Sequence, residues 1–162
     1  MTAAAFSTKD LALLGRTLIK KHPVMAEELL AALRATHLPP LETDLSKLSH
    51  LFDRFCELKD TSPEIILSAR FNTEAMQLKR LFIGVAFSIY CPSAIAYPDM
   101  YLRKKMGIQK QLVRTLGVFK SNLNIFTHEV IFNYKVYDSF RQEVDMLTQI
   151  LTHGKDHQQE DN

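Results

Sequence analysis

Apolar residues three and four positions apart recur along most of the 162-residue chain, and Val, Ile and Thr nowhere alternate over a strand-length run. The pattern predicts an all-α protein. Leu11, Leu13, Leu14, Leu18 and Ile19 mark a first helix, opened by a cap at Ser7 or Thr8 and closed by Lys20 and Lys21. Pro23 suits a first helical position and opens a second helix, which runs to about His37 through Met25, Leu29, Leu30 and Leu33. Leu38-Pro39-Pro40 stops it. A third helix begins near Asp44 or Ser46 and carries Leu48, Leu51, Phe52, Phe55 and Leu58. After the loop Asp60–Glu64, Pro63 opens a short helix through Ile65, Ile66 and Leu67. A longer one runs from Asn72 or Thr73 to Tyr90. Its run Leu81–Tyr90 is apolar on every side, which marks a central core helix. That run is too short to span a bilayer.

Pro92 ends this helix, and Cys91–Pro98 reads as a linker. A basic helix is expected from about Asp99 to Met106, with Gly107 breaking it. Leu112, Val113 and Leu116 then share a helical face, and Gly117 is placed to end the helix through a positive φ. Val118 returns to the core, and Leu123 and Phe126 continue an apolar face on a helix over Phe119–Asn133, with a kink expected around Asn133-Tyr134-Lys135. Tyr137, Phe140, Val144, Leu147 and Leu151 form a stripe of about four turns. The stripe is too short for a coiled coil and is expected to pack into its own core. The predicted organisation is an N-terminal helical bundle over 1–91, packed with a C-terminal helical lobe over 92–153, and a flexible tail over 154–162.

A hydrophobic content of 46% supports a folded chain, and the formal net charge is only +2. That charge is uneven. From Pro98 to Asn124, Arg103, Lys104, Lys105, Lys110, Arg114 and Lys120 stand against Asp99 alone, a net +5 on an otherwise acidic chain. A basic patch on a near-neutral protein points to an anionic partner. Cys56 and Cys91 form no Cys-x-x-Cys and are expected to be reduced, buried thiols in a cytoplasmic protein; Met1–Ser7 lacks the start of a signal peptide. The six histidines show no metal-ligand spacing, so no metal is expected. Glu27 and Glu28 are adjacent and point apart on a helix, and His50 and Asp53 make an isolated pair. With no nucleophile elbow and no glycine-rich phosphate loop, the expectation is a non-enzyme with no cofactor, no small-molecule substrate and no membrane span.

The segment Gln111–Phe126, opening "QLVRTLGV", resembles the helix-turn-helix of phage-repressor-like DNA-binding proteins. The family's apolar, small and glycine positions fall on Leu112, Val113, Leu116, Gly117, Val118, Leu123 and Phe126. The resemblance covers about 20 residues directly, and it implies binding of double-stranded DNA by a transcriptional or mobile-element regulator. It makes Lys120, Ser121, Asn124 and His128 the base-reading candidates, with Asn122 at the edge. Asn124 would pair with adenine and Lys120 with guanine or phosphate. Arg103, Lys104, Lys105, Lys110 and Arg114 would contact phosphates. The N-terminal helices would serve a homodimer or a partner. The chain departs from the family pattern at Val113 (usually alanine), at Phe119 (usually a capping residue) and at Ile125, on the face turned to DNA. Phe119 and Ile125 motivate an alternative, a helical protein-interaction module without nucleic acid, which predicts that both are buried, within the chain or in an oligomer. RNA binding is a weaker option, since no RNA-specific module is present.

Overall fold

A computed structural model describes residues 8–35, 38–70, 73–97 and 106–153. All regular structure among these residues is helical. Packing separates two units, 1–37 and 38–162.

The first unit is a helical hairpin. Helix α1 (Thr8–Lys21) ends in Lys20 and Lys21, where cations favour the negative end of the helix dipole. A single residue, His22, separates it from α2 (Pro23–Ala35), which Pro23 opens. The two helices pack on each other. A lone pair of helices can bury little. Only Ala26 is buried among the described side chains, while Leu13, Leu14, Ile19, Val24, Met25, Leu29 and Leu30 are all exposed.

The second unit opens with a 3-10 turn, Leu45–Lys47, capped by Asp44, whose carboxylate accepts from the Ser46 amide at 3.0 Å and from its hydroxyl at 2.6 Å. These bonds to the charged form hold the Asp44 carboxyl below its ordinary range. Helices α3 (Leu48–Leu58), α4 (Pro63–Leu67), α5 (Glu74–Tyr90) and α6 (Pro92–Ala96) follow. Then come α7 (Met106–Leu116), α8 (Lys120–Val136) and α9 (Asp138–His153). Thr73 caps α5 by accepting from the Met76 amide at 3.3 Å.

Helix α5 is the axis of this unit. Every residue from Leu81 to Ile89 is buried, as expected of a run in which Ser88 is the one polar side chain. It packs against α8 and α9. Gly84 sets the closeness of that contact: a Cβ there would lie 3.0 Å from Val144 Cγ2 and 3.4 Å from Val130 Cγ1. On another side, Phe82 meets Phe52 and Phe55 with ring centroids 4.8 and 5.3 Å apart. Lys79, 2% exposed, donates to the Leu67 carbonyl at 3.1 Å, and burial lowers its pKa. Val144, Leu147 and Leu151 of the C-terminal stripe are buried in this core, Phe140 is half-buried and Tyr137 is exposed. Cys56 is a buried thiol, pushed up to about 11 chiefly by burial, and Cys91 is half-buried. No described helix is long and apolar enough to cross a membrane.

Three local expectations change. Pro92 follows α5 but also opens α6, whose Ser93, Ala94 and Ile95 are buried; the segment expected as a linker is therefore part of the core. The Ser93 hydroxyl accepts from the Leu38 amide at 2.7 Å and donates to the Leu38 carbonyl at 3.0 Å, which ties α6 to the start of the unit. The boundary expected at residue 91 consequently runs through a single core. Gly107 does not break a helix. It lies in the first turn of α7, where a Cβ would come within 3.2 Å of Leu45 Cδ1, so its role is a close approach to the 3-10 turn. The interruption expected at 133–135 falls at Tyr137: α8 runs on to Val136, and the Tyr134 hydroxyl donates to the Asp145 carboxylate at 2.7 Å. The expected basic helix as far as Lys105, and the tail over 154–162, lie outside the described residues.

Candidate nucleic-acid interface

Helices α7 and α8 meet through a three-residue connection, 117–119. Ile108, Leu112 and Leu116 of α7 are buried, as are Leu123, Phe126, Thr127, Val130 and Ile131 of α8, so each helix has one committed inner face. Between them Gly117 takes φ +59°, the left-handed region that favours glycine. Nothing lies within 4 Å of where its Cβ would be, so backbone conformation and not space demands glycine here. Val118 turns back half-buried. Phe119 caps α8 with an extended backbone but no side-chain hydrogen bond, and its ring is 80% exposed.

Contacts from α5 and α9 fix how α8 sits. Arg80 Nε donates to Glu129 Oε2 at 2.7 Å, and its guanidinium lies 5.9 Å from the centroid of the Phe126 ring. The Tyr134–Asp145 bond ties the C-terminal half to α9. Burial and the Asp145 carboxylate push the Tyr134 hydroxyl well above its ordinary pKa.

The inner face being fixed, the outer face follows. Lys110 and Arg114 of α7 and Lys120, Ser121, Asn122, Ile125 and His128 of α8 are exposed. From Met106 to His128 the chain has no Asp or Glu, so no carboxylate of this segment offsets the three cations. Lys110 and Lys120 line one hollow of about 260 Å³ with Gln109 and Val113, which brings cations from both helices together across the turn. Arg103, Lys104 and Lys105 lie outside the described residues.

Asn124 differs from the other base-reading candidates. It is half-buried, and Gln109 Nε2 donates to its Oδ1 at 2.9 Å. Pairing with adenine uses that oxygen as an acceptor, so a base would share it with Gln109. Sequence reasoning passed over Gln109, although a signal was present. Positions 109, 112 and 116 share a helical face, and a polar residue among buried leucines must find a partner. It is 7% exposed and found Asn124.

The outer face is also partly apolar. Phe119 and Ile125 are exposed in the single chain, and Phe132 and Val136 extend the apolar row along α8 at 56% and 53% exposure. Away from this segment, His50 and Asp53 are both exposed on α3. No protein-family model, curated protein or solved structure matches the chain.

Proposed function

We propose that α7, the Gly117 turn and α8 act as a helix-turn-helix that binds double-stranded DNA, with α8 entering the major groove. The observation that carries this reading is the left-handed Gly117 between two helices whose buried faces turn Lys110, Arg114, Lys120 and Ser121 outward from a segment without carboxylates. In this reading Lys110 and Arg114 hold phosphates and set the register. Lys120, Ser121 and His128 meet base edges, Asn122 lies at the rim, and Gln109 orients Asn124. Exposed Ile125 contacts a thymine methyl. The chain would act as a transcriptional or mobile-element regulator, alone or as a homodimer, without a cofactor. Lys120→Ala and Asn124→Ala should change sequence preference in a duplex-binding assay, while Lys110→Ala and Arg114→Ala weaken all sequences alike. Equal weakening by all four would count against α8 as the reading helix.

The apolar row Ile125, Phe132 and Val136 favours a second reading, in which the same face of α8 docks on a protein. Phe132→Ser separates the two. It leaves duplex binding intact if DNA is the partner, because Phe132 lies beyond the first turns of α8.

A further inference from the structure

A hollow of about 160 Å³ opens where the segment before α3 crosses the end of α5. The Leu41 amide donates to the Ile89 carbonyl at 2.8 Å and straps that segment in place. Leu41, Leu51, Ile89 and Leu151 give the hollow an apolar wall, drawn from the strap, α3, α5 and α9 in turn. An apolar cavity of about 150 Å³ holds one benzene molecule, so this size suits a single ring or a short alkyl chain.

Charge sets what that apolar body must carry. Lys47, just before α3, and His50, Leu51 and Arg54 within it line the hollow from positions three and four apart on one face. Among the described residues Glu42 is the one carboxylate in the lining. Lys47 meets one of its oxygens at 2.7 Å, and the Thr43 and Asp44 amides donate to the other, each at 3.0 Å. Arg54 makes no ion pair among the described residues. It donates one N–H to the Leu151 carbonyl at 3.2 Å, in the last turn of α9. That bond holds the guanidinium at the wall and leaves its other donors for a ligand. His50 stands one turn before Arg54, while Asp53 and Glu57 are exposed outside this lining. The Tyr90 hydroxyl, raised to about 12 chiefly by burial and then by Glu42 and Asp44, keeps its proton at neutral pH and adds a donor. The hollow thus joins an apolar wall to a few donors, with its one carboxylate already answered.

We infer that this hollow binds a small monocarboxylate with a one-ring or short-chain apolar body, its carboxylate bonded to Arg54 beside His50. The inference stands apart from the nucleic-acid reading, because its test contains no DNA. The probe is benzoate, titrated into the full chain and followed by amide NMR shifts. It should bind saturably with a Kd of about 1 mM or tighter. The largest shifts should fall at Leu51, Ile89, Leu151 and Thr152. Benzyl alcohol and benzylamine present the same ring without the anion and should bind at least about tenfold more weakly. Arg54→Gln should weaken benzoate by at least about tenfold. Because Arg54 also holds the end of α9, a second variant guards against unfolding. Thr152→Phe fills the hollow without touching a charge, and should abolish benzoate binding while the helical circular dichroism signal persists. Failure of benzoate to saturate at about twenty times the expected Kd overturns the inference. So does benzylamine binding as tightly as benzoate, or wild-type affinity in either variant. Shifts centred on Lys110 and Lys120 instead would overturn it as well.

Discussion

Helices α5 and α8 are both 17 residues long and pack on each other, yet they expose themselves very differently. Nine consecutive residues of α5 are buried, leaving it no free face in its C-terminal half. Helix α8 buries one face through Leu123, Phe126, Val130 and Ile131 and keeps another outside with Lys120, Ser121, Ile125, His128 and Phe132. The difference teaches where function can reside. A helix surrounded by protein can only support, whereas one anchored on its inner side by Arg80 and Asp145 holds its outer side in a fixed orientation. Rigid presentation limits the ordering that binding must otherwise impose.

If α5 is the support, truncating its contacts should cost most. Phe82→Ala should destabilise the chain by about 3–5 kcal/mol, the range for a fully buried phenylalanine, read from denaturant unfolding. Gly84→Val should cost about 1–3 kcal/mol through overpacking against Val144 and Val130. A neutral result there would mean that α5, α8 and α9 are less tightly joined than described. At the turn, Gly117→Val should cost roughly 1–2 kcal/mol from its left-handed backbone, and Gly117→Asn clearly less, because asparagine tolerates that region and the space is open. Equal costs for the two would show that φ is not what requires glycine.

A pH effect probes the end of α5. Tyr90 is raised from an ordinary 10 to about 12, chiefly by burial and then by Glu42 and Asp44. Its folded pKa lies above the unfolded one, so its contribution is fully present below pH 10 and is lost as pH rises towards 12. Tyr90→Phe should flatten the loss of stability over that interval in alkaline unfolding curves. The smallest effect belongs to the outer face of α8: Ile125→Ser and Phe132→Ser should change stability by less than about 0.5 kcal/mol. A large loss from either would mean that this face is covered.

An unbroken apolar run made α5 legible in the sequence, and the period of apolar residues made the inner faces of α7 and α8 legible, because burial on a one-sided helix repeats every three or four residues. The same rule found the buried Val144, Leu147 and Leu151. Proline and glycine misled where one residue type serves two roles. Pro92 follows one helix and opens the next, and Gly107 is small to let Leu45 approach, not to end a helix. The turn glycine was legible because apolar positions on both sides required a change of direction there. Side-chain pairs between helices were not: Gln109 with Asn124 and Arg80 with Glu129 are 15 and 49 residues apart, and no local pattern joins them. Phe119 and Ile125 were legible as apolar, but their exposure depends on which face the core takes.

The most direct test of the account is a salt titration of the full chain binding random duplex DNA. The phosphate contacts of Lys110 and Arg114 imply binding at low salt that falls with log[salt] at a slope of roughly −2 or steeper, from about 0.9 per neutralised phosphate. Lys110→Ala should flatten the slope by about one. Absence of binding even at the lowest salt, or binding indifferent to salt, would contradict the account.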